Sequence, residues 1–319
     1  MKEIVLATDL GGTNLRMAAV DRDGRILYRT KRVTPQTTRS GEIICAIVEA
    51  AEECRRAVKA QGTIFGVAAA VPGTVNVEAG IILKAPNVPC LDGFRISATL
   101  KDELNVPCFL ENDANAAAVG ESWLGASKDF QNSLMVTLGT GIGGGIIIEG
   151  RVLRGTDGTA GEIGHICVEP FGVPCGCGSH GCLEQYASAT AIVRLAREIE
   201  NLYPNSDLPE KPQLSALKIY EAGKQGDELA LEIFRRQGFY LGIGLAGLIN
   251  ILNPEVIVIG GGVAAGWDLF IQPTIEQIRK RAYREPAKRA ELVLAKCGDD
   301  AGILGAARLT FENMSDFVR

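Results

Sequence analysis

Apolar residues along this chain alternate between two spacings. Short apolar runs bounded by glycine, proline or Asp/Asn turns read as buried strands: EIVLAT at 3–8, LRMAAV at 15–20, TIFGVAAAV at 63–71, VPCFL at 106–110, SLMVTL at 133–138, EVIVIGGG at 255–262 and ELVLA from 291. Between them the apolar positions move to helical spacing. Ile43, Ile44, Ile47, Val48 and Ala51 predict a helix over about 41–60, and further helices are expected near 96–104, 188–201, 214–222, 226–252, 267–281 and from about 301.

Asp9-Leu10-Gly11-Gly12-Thr13 joins the first two strands as a hairpin, and Asp23-Gly24 turns the chain again into RILYRTKRV. The second half repeats this opening. In SLMVTLGTGIGGGIIIEG at 133–150 the pair Gly139-Thr140 stands where Gly12-Thr13 stood, which suggests two related halves facing each other. Strands alternating with helices in both halves give an α/β class with mixed sheets. The expected division is a small N-terminal α/β domain of residues 1–112 plus about 301–319, and a larger C-terminal α/β domain of 113–300.

With 46% hydrophobic and 22% charged residues the chain can bury a large core and is not a disordered one. A net charge of −5 argues against a nucleic-acid surface, which needs a basic patch. No apolar run is long enough to span a bilayer, and the first residues enter a strand without the character of a signal peptide, so a soluble cytoplasmic protein is expected, with neither a nucleic acid nor a membrane as partner.

The densest chemistry lies in GEIGHICVEPFGVPCGCGSHGCLEQY at 161–186, which holds both histidines and four of the nine cysteines. His165, Cys175, Cys177 and Cys182 make a Cys₃His set of the kind a structural Zn²⁺ takes, on a loop that Gly176, Gly178 and Gly181 can fold tightly. Cys167 and His180 are alternative ligands by spacing, and disulfide-linked or free cysteines are the plain alternative. Glu162, His165 and Glu184 flank the cluster and suit the hydroxyls of a polyol, with a metal stiffening the loop that carries them.

Gly11-Gly12-Thr13 and Gly139-Thr140-Gly141 each end a strand, where backbone N–H groups can form an anion nest; together they suggest a polyphosphate site. Gly260-Gly261-Gly262 is a third such turn, before a helix whose N-terminus could approach an adenosine or phosphate group. Gly139, Gly141 and Gly144 match the dinucleotide spacing, but a strand follows where a helix is required; no P-loop and no H-R-D loop occur. Asp113, at a strand end before an alanine-rich helix, is either a helix cap or a base beside the phosphate turns. Asp9, just before the first glycine turn, can hold Mg²⁺ through water.

DLGGTNLR at 9–16, ENDANAAA at 111–118, LGTGIGGG at 138–145, and GEIGH with CGCGSHGCLE ending at Glu184 resemble the motifs of the ROK family of repressors and sugar kinases, in particular its bacterial glucokinases. The resemblance implies an actin-like, hexokinase-like (ribonuclease H-like) fold of two α/β domains, with ATP and a sugar in the cleft between them. It implies Asp113 as catalytic base, with the sugar held by Gly73, Asn87, Asn112, Asp113, Glu162, His165 and Glu184. ATP and its phosphates would be met by Asp9, Gly11, Gly12, Thr13, Asn14, Gly139, Thr140, Gly141, Gly261 and Gly262. Structural Zn²⁺ would sit on His165, Cys175, Cys177 and Cys182, with Mg²⁺ accompanying ATP. The implied activity is ATP-dependent phosphorylation of the 6-hydroxyl of D-glucose, a step of glycolysis, by a homodimer or homotetramer; N-acetylmannosamine or another hexose is the alternative substrate. A sugar-sensing regulator without catalysis is the alternative from another class. Family repressors carry an N-terminal helix-turn-helix before the first phosphate strand, a strand that begins here within the first few residues.

Overall fold

The computed structural model describes residues 2–209 and 213–315; residues 316–319 of the expected N-terminal domain lie outside the described residues. The strands are β1 (Lys2–Leu10), β2 (Asn14–Asp21), β3 (Ile26–Val33), β4 (Gly62–Val71), β5 (Thr74–Asn76), β6 (Ile81–Lys84), β7 (Cys108–Asn112), β8 (Ser133–Leu138), β9 (Ile142–Ile148), β10 (Arg151–Val152), β11 (Val256–Gly260) and β12 (Glu291–Leu294). The helices are α1 (Ser40–Ala57), α2 (Ile96–Leu104), α3 (Asp113–Leu124), α4 (Glu184–Ala187), α5 (Ala189–Ile199), α6 (Ala216–Lys224), α7 (Glu228–Leu252), α8 (Trp267–Arg281), α9 (Arg284–Arg289) and α10 (Ala301–Ser315).

The contacts group the chain into two compact units. One holds the residues up to Gln131, Gly145–Gly161 and those from Lys296; the other holds Asn132–Gly144 and Glu162–Ala295. In the first, a five-stranded sheet runs β3-β2-β1-β4-β7, with β1 antiparallel to β2 and parallel to β4. The middle stretches of its central strands are mostly apolar because both faces are covered. Ile4, Leu6, Leu10, Leu15 and Met17 pack with Ile43, Ile47 and Ala51 of α1, while Val5, Ala7, Ala18 and Val20 pack with Ile303, Ala306, Ala307 and Phe311 of α10.

Small residues on the α10 face bring helices close. A Cβ on Gly120 of α3 would lie 2.1 Å from Ala301 O, and one on Gly305 of α10 would lie 1.7 Å from Ala116 O, so α3 and α10 meet backbone to backbone. For this reason the contacts place α3 in the first unit, whereas the sequence pattern put a break at 112/113. The sequence also passes over the β5–β6 hairpin and α9, both too short to show a period.

The second sheet has the order β10-β9-β8-β11-β12, and β11 lies parallel to both β8 and β12. The long α7 packs along α8 and against α5 and α6. It stops at Asn253, whose left-handed backbone (φ 49°) accommodates the C-cap, and Pro254 follows. Among the described residues no helix is long and apolar enough to cross a membrane.

Candidate active site

Two chemistry-bearing regions emerge, one in each unit. In the first, β7 delivers Glu111-Asn112 and α3 begins at Asp113. Asn112 is the N-cap: its Oδ1 accepts from Ala114 N at 2.9 Å and Asn115 N at 3.0 Å, two of the donors a helix start leaves unpaired. Its Nδ2 donates to Gly73 O at 2.8 Å. Asp113 therefore occupies the first helical position rather than the cap, and its Oδ1 accepts from Ala114 N at 2.8 Å. Preceding them, the carboxylate of Glu111 is 1% exposed, with Arg154 donating to Oε2 at 2.7 Å and 3.0 Å. Asn112 N and Asn115 Nδ2 donate to the other oxygen, Oε1, at 3.0 Å and 3.2 Å. Asn115 Oδ1 is buried without a protein partner.

The same unit carries the first glycine turn. Gly11 N donates to Asn14 O at 2.8 Å, and Thr34 N to Thr13 O at 2.9 Å, so the turn is tied to its neighbouring strand. A Cβ on Gly12 would stand 3.0 Å from Asn87 Cβ, so the glycine lets Asn87 approach the turn. Gly73 needs to be glycine: its φ is +96°, and a Cβ would lie 2.1 Å from Lys84 O. Asp9 pairs with Arg16 across the β1–β2 register at 3.2 Å, and Arg16 also reaches Asp299 at 2.9 Å. Burial pushes the Asp9 carboxyl above its ordinary value and the Arg16 guanidinium pulls it back. Gly73, Asn112 and Asp113 are thus brought together, as are Gly12 and Asn87.

In the second unit the Gly139-Thr140-Gly141 turn is held from below. Glu184 Oε2 accepts from Ile142 N at 3.0 Å, Thr190 Oγ1 donates to Thr140 O at 2.8 Å, and Ala189 N donates to Gly139 O at 2.8 Å. The carboxylate expected only to read hydroxyls therefore also secures the neighbouring turn. Gly261, with φ +83°, lies against Leu138, its Cβ position 2.4 Å from Leu138 O. A 3-10 turn over Gly262–Gly266 separates it from α8, so Gly262 opens that turn rather than the long helix.

His165, Cys175, Cys177 and Cys182 converge, one ligand atom from each lying within 4.8 Å of the others. Cys175 Sγ is 3.6 Å from His165 Nδ1, and Cys177 Sγ is 3.6 Å from Cys182 Sγ. Tetrahedral Zn²⁺ with bonds of about 2.3 Å places sulfurs roughly 3.8 Å apart, so donor set and spacing fit that ion. Cys167 and His180 stand outside the cluster, tied instead by backbone bridges to Cys182 and Pro174, and the nine cysteines are free thiols. Gly178 (φ +93°) and Gly181 (φ +66°) supply the tight turns. Burial pushes the Cys182 thiol up to about 12; a cation at the cluster would displace its proton. The other ring nitrogen of His165, Nε2, lies 3.9 Å from Glu162 Oε2, so one edge of the imidazole faces the cysteines and the other the carboxylate. Sequence reasoning passed over Arg154 because its partner is 43 residues away; the available signal was an acidic residue ending a buried strand, which requires a counter-charge.

These sheets and motifs define an α/β protein of the actin-like, hexokinase-like class. The ROK family model matches residues 5–313, and the chain belongs to the ROK family. It is 37% identical over 310 residues to a glucokinase of Halalkalibacterium halodurans, covering 95% of this chain and 94% of that one. A ROK family glucokinase from Streptomyces griseus, crystallised with glucose and AMPPNP, superposes with a TM-score of 0.83 at 34% identity, covering 97% of this chain and 99% of that one. A xylose repressor of Caldicellulosiruptor bescii is 26% identical, covering 98% of this chain and 79% of its own.

Proposed function

We propose that this chain is an ATP-dependent hexose kinase that transfers the γ-phosphoryl group to the 6-hydroxyl of D-glucose. The similarity to the Streptomyces griseus glucokinase bound to glucose and AMPPNP carries the reading, since it spans nearly all of both chains. Asp113, at the start of α3, takes the proton of the attacking hydroxyl as general base. Gly73, Asn87, Asn112, Glu162, His165 and Glu184 hold the sugar hydroxyls. The turns at Gly11-Gly12-Thr13-Asn14 and Gly139-Thr140-Gly141, with Gly261 and Gly262, meet ATP and its phosphates.

Phosphoryl transfer demands positioning and charge neutralisation more than covalent help from the protein. Mg²⁺ would neutralise phosphate charge, and Asp9 is the carboxylate that suits it, beside a glycine turn and already partly balanced by Arg16. Zn²⁺ on His165, Cys175, Cys177 and Cys182 would fix the loop between Glu162 and Glu184 and orient the imidazole of His165. On this reading the protein works in the cytoplasm as a homodimer or homotetramer.

ADP release with Mg-ATP, compared across glucose, mannose, fructose, N-acetylmannosamine and N-acetylglucosamine, tests the reading. Turnover should be strongest on glucose. Preference for N-acetylmannosamine would keep the residue roles and change the substrate. Silence on all five would overturn the kinase reading in favour of a sugar-responsive regulator.

A further inference from the structure

The carboxylate of Glu111 acts as a bridge with one oxygen for each side. Oε2 takes both donors of Arg154, at 2.7 Å and 3.0 Å, while Oε1 takes Asn112 N and Asn115 Nδ2, the residues on either side of Asp113-Ala114. With Arg154 in place the carboxylate cannot rotate without breaking two charge-assisted bonds. Arg154 is itself firmly mounted. Its carbonyl accepts from Ala160 N at 3.1 Å, Gly155 turns at φ +71°, and the Cβ position of Gly158 lies 2.5 Å from Val75 O, pressing the turn onto the β5 strand.

With Glu111 buried and Arg154 31% exposed, the pair is a poor way to gain stability, because desolvation of the carboxylate offsets much of an attraction that solvent also screens. What this pair supplies is direction. Both guanidinium donors converge on Oε2 while the junction's donors hold Oε1, so the carboxylate is pinned at both oxygens. We propose that Arg154 is a positioning residue for phosphoryl transfer: through Glu111 it holds Asn112 and Asn115, and with them the aim of Asp113. The proposal rests on the kinase reading for its effect on turnover, and on the structure alone for its effect on the junction.

The test compares the full-length wild type with Arg154→Ala by kinetics, by thermal melting and by amide exchange. The expected result is a kcat lowered roughly 100-fold, the scale of a misplaced reacting group, with KM for ATP unchanged and exchange at Asn112, Ala114 and Asn115 accelerated selectively. Guanidinium chloride at low millimolar concentration should restore part of the turnover. In an Asp113→Asn background, Arg154→Ala should cost little more, because both act on one proton transfer. Wild-type turnover in Arg154→Ala, or a full additional loss in the Asp113→Asn background, would overturn the proposal. If Arg154→Ala does not fold, the neutral pair Glu111→Gln with Arg154→Met must fold and still show the slow turnover; wild-type rates there would overturn it equally. If the wild type phosphorylates no sugar, the kinase reading fails. Exchange at the junction then decides the positioning role: unchanged protection in the variant overturns it, selective loss sustains it.

Discussion

The junction at Glu111–Asn115 and the cysteine loop at His165–Cys182 reach order in opposite ways. The junction is held by the chain's own groups: a cap, a carboxylate with four donors, and a carbonyl from Gly73. In the loop three sulfurs and an imidazole crowd within 4.8 Å of one another. Side-chain hydrogen bonds can pre-set a single carboxylate, but several soft donors aimed at one point need an ion to repay their convergence. Geometry in the first region is therefore built into folding; in the second, on the proposed function, it would depend on a bound ion.

Substituting the proposed base gives the largest contrast. Asp113→Asn should lower kcat by about 10²–10⁴-fold with ATP binding retained, as measured by steady-state kinetics and nucleotide titration. Near wild-type turnover would remove the junction from the chemistry. Next comes the loop: Cys177→Ser, or a strong chelator, should release zinc measurable by elemental analysis and weaken sugar binding by about 10–100-fold. Pure wild-type protein containing no zinc would break the comparison at its root.

Asn112→Ala probes the junction's self-sufficiency. Loss of the α3 cap should cost about 1–2 kcal/mol in denaturant unfolding, and the zinc content should not change. A surface cluster on α7 sets the lower end of the scale. Glu232 is bonded by Arg235 and Arg236, which hold its carboxyl down at about 2. Because that value is depressed, its stabilisation is present above the ordinary carboxylate value of 4.5 and is lost as pH falls toward about 2. Arg235 is 58% exposed, so solvent screening limits the gain to less than about 1 kcal/mol. Glu232→Gln should melt slightly below wild type at pH 7, with the difference closing across that acid window.

The sequence was legible where a local rule applied. Alternating apolar runs located the central strands, and the glycine and Asn-Asp motifs located the turns and the start of α3. Ligand choice was half legible: spacing left Cys167 and His180 open, and only the folded loop shows that the four converging ligand atoms belong to His165, Cys175, Cys177 and Cys182. Asp113 against Asn112 shows a finer limit, since one residue of register decides which side chain caps and which is displayed. Glu184 and Ile142, or Glu111 and Arg154, meet through tertiary folding across 42 and 43 residues, beyond the reach of any periodicity.

The passage of the chain between units at 131/132, 144/145, 161/162 and 295/296 has a consequence for synthesis. A ribosome completes every residue of the second unit by Ala295, whereas the first, though begun earlier, still lacks α10. Until Ile303, Ala306, Ala307 and Phe311 emerge, Val5, Ala7, Ala18 and Val20 lack the α10 part of their cover on that face. The unit that starts first therefore finishes last, and a nascent chain stalled before Ala301 presents an apolar sheet face suited to chaperone capture or aggregation.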